Sequence, residues 1–265
     1  MTSLFRRSAA FVAALFFGTL LIGNAQATST YTVGGTVTGL GTGKVMILRN
    51  NTSTVVVYAA NPTFTFPIQS AGTAWNVSVG IQPAMQICTV TNATGTNISA
   101  NVTNVSVNCA AKTYTVGGRV VGNTGAVSLT NNGGDTKVVY VNGGRFTFTA
   151  QTYGSNYAVA ATGPISQDCM VSNGTGTNLT ESVTNVVVTC ASKTYTVSGT
   201  VTGNTDTLTL TNNRADSKSV AAGGGSFTFT PQVYGSNYVV AFTGPTSQVC
   251  TLSNGTGYYL RANVT

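Results

Sequence analysis

The chain has no histidine, five acidic residues and one tryptophan among its 265 residues, and charged side chains of both signs make up only 6% of it. Without histidine, the commonest general base is missing, and with it the Ser-His and Cys-His routes to an activated nucleophile. Five widely spaced cysteines and no histidine likewise give no tetrahedral metal cluster. Glu, Lys and Leu are too sparse to build an amphipathic helix after the first 27 residues, and no later apolar run reaches membrane-spanning length. The basic residues are scattered singly, which offers no clustered phosphate contacts for a nucleic acid. What remains is rich in Thr, Val, Asn, Gly and Ser: residues that fit pleated strands, and residues that accept the backbone of tight turns.

Residues 1–27 read as an export leader. Arg6 and Arg7 precede an apolar and small-residue stretch that ends in Ala25-Gln26-Ala27. The expected address is secreted, either extracellular or at the cell surface, with the periplasm as a further compartment; a retained leader acting as an anchor is the alternative.

The rest repeats itself. Tyr31-Thr-Val-Gly-Gly-Thr-Val-Thr-Gly39 returns as Tyr114-Thr-Val-Gly-Gly-Arg-Val-Val-Gly122 and as Tyr195-Thr-Val-Ser-Gly-Thr-Val-Thr-Gly203. Phe64-Thr-Phe66, Phe146-Thr-Phe148 and Phe227-Thr-Phe229 keep step, as do Cys88, Cys169 and Cys250. Three modules are expected, at 28–111, 112–192 and 193–265. In the second, seven alternating or β-branched runs lie between 114 and 190, separated by turns such as Asn132-Gly-Gly134 and Asn142-Gly-Gly144. This density of short strands predicts an all-β chain of three tandem antiparallel β-sandwiches.

The pattern Val-x-Gly-x-Val, then Gly-x-Phe-x-Phe, then Gly-x-x-Tyr-x-Val resembles the opening two-thirds of carboxypeptidase regulatory-like and collagen-adhesin B-type modules. That resemblance implies an immunoglobulin-like or prealbumin-like sandwich, and the whole unit is similar to tandem modules of exported bacterial proteins. Collagen-adhesin modules often carry an internal Lys-Asn isopeptide bond assisted by a buried acid. The first module here has no Asp or Glu, so this cross-linking chemistry is not expected.

Cys88 with Cys109, and Cys169 with Cys190, share one spacing, and each falls on an alternating run, so a disulfide inside each module is expected. Such a bridge contributes about 3 kcal/mol in the chain-entropy picture. Cys250 has the place of Cys88 and Cys169 but no following cysteine, which predicts an unpaired thiol and a third module without its last strand. Two readings fit: a shortened chain, or an edge that takes a strand from another chain, such as residues 28–33, and so drives self-association.

No catalytic or metal residue and no cofactor is expected. Asp168 with Glu181, and Asp206 with Asp216, are same-module acid pairs that do not recur in a sister module, and with Asp135 they read as solvated loop charges. One carboxylate in each of the loops holding Asp135 and Asp216 is too few for a calcium cage. Asn-x-Ser/Thr triplets follow from the composition. Tyr157 and Tyr238 align with Trp75 and are expected to wedge the core. Tyr153 and Tyr234 fall in loops and are the candidate contacts for a glycan or a surface protein. The expected role is a non-enzymatic structural or adhesive protein, with a carbohydrate-binding array as the alternative.

Overall fold

The computed structural model describes residues 28–265, so the leader reading of residues 1–27 lies outside the described residues. The described chain is all β, and one plan recurs three times. The second module shows it in full. One sheet orders the strands Gly144–Thr147, Val116–Val121, Val183–Ser192 and Gln167–Ser172; the other orders Asp135–Val139, Val127–Asn131, Tyr157–Thr162 and Thr175–Gly176. The first module repeats both orders strand for strand. We call Val33–Thr38 and Val116–Val121 the opening strands, Gln86–Thr91 and Gln167–Ser172 the cysteine strands, and Val102–Ala111 and Val183–Ser192 the closing strands.

All named pairings in the second module are antiparallel except one. The closing strand lies parallel to the opening strand, with Gly118 facing Val186 and Val120 facing Val188. The first module shows the same exception, with Gly35 facing Val105. The closing strand is therefore central, held by the opening strand on one side and the cysteine strand on the other.

Alternation explains the core, because successive strand residues point to opposite faces. In the second module Val116, Val120, Val127, Leu129, Val186 and Val188 point inward and are buried. The Phe-Thr-Phe repeat turns both rings to the core side, edge to face, with centroids 5.7, 5.5 and 5.3 Å apart in the three modules, and all but Phe227 are buried. Trp75, Tyr157 and Tyr238 pack on their cores. Each ring lies over a glycine of the facing strand, Gly95, Gly176 or Gly257, where a methyl group would collide with it.

Two short strands escape the sequence pattern, Gln151–Thr152 and Thr175–Gly176, since two residues cannot display an alternation. The first of them pairs with Thr113–Tyr114, which is set off from the opening strand.

The described chain divides into two compact units. Residues to Ala84, together with Cys88–Ala110, form one; Met85–Ile87 and Ala111–Thr265 form the other. The boundary expected after residue 192 thus falls inside a compact unit. Lys193 links the second and third modules there: its N–H donates to the Ser166 carbonyl at 2.9 Å and its carbonyl accepts from the Tyr234 N–H at 2.8 Å. Its ammonium also stands 3.6 Å from Asp168.

Candidate functional site at the open edge of the third module

The third module keeps the second sheet intact, as Asp216–Val220, Leu208–Asn212, Tyr238–Thr243 and Thr256–Gly257. Its first sheet is reduced to Ser198–Val201 and Gly225–Thr228. Among the described residues no closing strand is present, and residues 248–253, the counterpart of the cysteine strand, form no ladder. An extended segment needs a neighbour to complete its backbone hydrogen bonds, and here the neighbour is the closing strand.

A groove of about 490 Å³ lies where the closing strand runs in the sister modules. Its walls include Leu208, Phe227, Val240, Phe242, Cys250 and Val264. The exposure of the core follows. Phe227 and Val201 are only partly buried, whereas their counterparts Phe146 and Val120 are buried.

The groove keeps the shape of the missing strand. Gln248 spans residues 203–205, accepting from the Thr205 N–H at 2.8 Å and donating to the Gly203 carbonyl at 3.1 Å. Gln167 makes the same two bonds in the second module, at 2.7 and 2.8 Å. One end of the groove is also laid down: Val264 bridges Val197 in parallel, and its N–H reaches the Thr196 carbonyl at 2.9 Å, as Val183 does to Thr115.

Gly199 is the residue that sequence reasoning missed. At Gly35 and Gly118 a Cβ would overlap the carbonyl of Val105 or Val186 on the closing strand, so the parallel pairing demands glycine. The third module has glycine at this position too, yet a Cβ on Gly199 would meet only the Phe227 ring, 2.9 Å away at the nearest atom. The available signal was a glycine kept through all three copies between alternating valines.

The structure joins Cys88 to Cys109 and Cys169 to Cys190, with Cα atoms 4.0 Å apart in both bridges. In the second module the two cysteines face each other across antiparallel strands. Cys250 is unpaired and half-buried. Its sulfur sits on the same face as that of Cys169, 3.8 Å from the position of a Cβ on Gly244, the counterpart of Gly163.

The candidate contact residues are not free loop side chains. Tyr153 leans on Tyr114, with centroids 6.3 Å apart, and Tyr234 packs on Tyr195 at 6.4 Å and Tyr259 at 5.5 Å. Arg261 lies over the Tyr259 ring at 4.5 Å. Removal from water, the largest cause, and then the Tyr259 hydroxyl raise the Tyr234 hydroxyl above the usual tyrosine range.

Four of the acids make local contacts. Asp135 and Asp216 accept from the N–H groups of Thr149 and Thr230, Asp206 from Thr207, and Asp168 faces Lys193. Among the described residues no three His, Cys, Asp or Glu side chains gather, and no helix is long and apolar enough to cross a membrane.

The chain matches no protein family and no curated protein. Among solved structures it is similar to the Bacillus anthracis TIE protein at 14% identity and a TM-score of 0.44, over 89% of this chain and 50% of that one. A shaft pilin, SpaA, from Lactobacillus rhamnosus GG matches at 11% identity and a TM-score of 0.24, over 62% of this chain and 100% of the pilin. The chain thus spans half the length of the TIE protein, and likeness this distant leaves its function to be argued from its own residues.

Proposed function

We propose that this is an exported, non-enzymatic structural protein that presents disulfide-stapled β-sandwich modules outside the cytoplasm. The observation that carries the reading is the pair of disulfides, set at one place in two modules, each tying a closing strand to its cysteine strand. Bridges of this kind persist in oxidising compartments. The packing of Tyr153 and Tyr234 against neighbouring tyrosines favours a structural task over open stacking faces for sugars. Contacts with surface proteins or glycans then run through strand faces and loops.

The test is to express the whole chain in a bacterial host, fractionate the cells and medium, and count thiols by alkylation before and after reduction. The expected product lacks residues 1–27, lies outside the cytoplasm and has one reactive thiol, rising to five on reduction. A cytoplasmic product with five thiols from the start would overturn the proposal.

A further inference from the structure

We propose that the edge strand Ser53–Tyr58 of the first module is a dimerisation surface, which pairs antiparallel with the same strand of a second copy of this chain. The argument rests on the first module, where both four-stranded sheets are formed, and does not depend on where the protein is exported.

An edge strand leaves one row of backbone groups without a ladder, and proteins blunt such edges with charges, caps or short strands. This chain does so at the comparable edges. The counterparts of Ser53–Tyr58 are Asp135–Val139 and Asp216–Val220, and each has a lysine in its core-side row: Lys137 stands opposite Leu129, and Lys218 opposite Leu210. The first module has Val55 there, opposite Leu48, and no charged residue anywhere in Ser53–Tyr58. The cysteine strand Gln86–Thr91 is the edge of the module's other sheet, and it is capped. The Gln82 side chain accepts from the Cys88 N–H at 2.7 Å and donates to the Cys88 carbonyl at 3.0 Å. Residues 28–33, considered from the sequence as a donor strand, are already spent: Thr30–Tyr31 pairs with Gln69–Ser70, and Val33 is fully buried. Among the described residues no strand covers the outer side of Ser53–Tyr58.

The hairpin fixes which backbone groups are open. Asn50 and Ser53 flank its two-residue turn, so they exchange both hydrogen bonds, and bonded and non-bonded pairs alternate from there. Thr54, Val56 and Tyr58 therefore turn their N–H and carbonyl groups outward, and the Tyr58 carbonyl accordingly accepts from the Asn61 N–H at 3.0 Å. A two-fold axis through Val56 sets Val56 against its copy and Thr54 against Tyr58. Each outward donor then meets an acceptor, roughly six bonds in all, with the second lone pair of the Tyr58 carbonyl taking its share.

Side chains match about the same axis, which is what selects a second copy as the partner. Val55 falls against Val57 on the core side, and Val56, 46% exposed, falls against itself on the outer face. A sister edge would instead bring Lys137 or Lys218 against these valines. Val45 and Ile47 lie beside Tyr58 and Val56 on the next strand, so the outer apolar surface runs on across the seam. Arg49, on that strand, is drawn away from the edge: it lies over Gly80, its Nε 2.8 Å from the position of a Cβ there. Strand addition of this kind takes its affinity from the backbone and its selectivity from alternate side chains.

The experiment is sedimentation equilibrium of the whole chain over a concentration series, with Cys250→Ser to prevent a thiol-linked dimer. The expected result is a reversible monomer–dimer equilibrium. Val56→Lys sets two ammonium groups against each other and weakens the dimer at least about tenfold. Val138→Lys, at the counterpart in the second module, leaves it unchanged. Thr54→Pro removes an outward N–H without touching the bonds to Val45–Asn50, and it weakens the dimer too. Circular dichroism matching the parent's shows that the variants fold. A chain that stays monomeric throughout the series would overturn the proposal. So would a dimer that survives both Val56→Lys and Thr54→Pro, or one that Val138→Lys breaks equally.

Discussion

Gly118 has a closing-strand carbonyl where a methyl group would go, and Gly199 does not. Gly118→Ala is therefore expected to destabilise the second module by about 1–3 kcal/mol through overpacking, whereas Gly199→Ala costs about 0.5 kcal/mol, since a flexible ring can yield. Urea midpoints of the two variants check the contrast. Asp216 makes a second residue-scale case. The Thr230 N–H, the largest cause, and Lys218 hold its carboxyl below the usual aspartate range, against a smaller opposing effect of burial. A lowered folded value means that the stabilisation is present above the unfolded value, about 3.9, and is lost as pH falls through the lower folded one. Asp216→Asn should thus melt earlier than the parent at pH 7, and the gap should narrow as the pH falls below the unfolded value of about 3.9. At this scale the cysteine pairing was legible because two modules repeat one spacing. The role of the glycines was not, since a glycine kept for close approach and one kept for a turn look alike until the neighbouring strand is seen.

Strands that alternate over five or more residues could be read directly, and the seven expected runs of the second module all hold strands. The parallel pairing of opening and closing strands could not be read, because alternation specifies which face is buried and says nothing about the direction of the neighbour. Residues 248–253 make the related point that a strand-like sequence forms a strand only when a partner completes its ladder. The staple acts at the scale of these elements. Replacing Cys169 and Cys190 together by serine is expected to lower stability by about 3 kcal/mol in the loop-entropy picture. Denaturant unfolding of the double variant, compared with the parent before and after reduction, measures it; a reduced parent should match the variant.

At the scale of the molecule the repeat count was evident from sequence, but the grouping of the second and third modules into one compact unit was not. Backbone bonds from Lys193 reach Ser166 on one side and Tyr234 on the other, a contact that residue pattern alone does not display. Lys193→Pro removes the N–H that reaches Ser166, while the strand end before it already suits a residue preceding proline. Limited proteolysis should then cut near residue 193 several times faster than in the parent, with both modules still folded. The parallel pairing has a mechanical meaning as well. In the second module the chain enters along Val116–Val121 and leaves along Val183–Ser192, side by side and in the same direction. A force applied to the two ends pulls these strands in opposite senses along their length, so the hydrogen bonds between them are loaded together in shear instead of opening one after another. Among the described residues of the third module, the Val197–Val264 bridge starts the same parallel pairing.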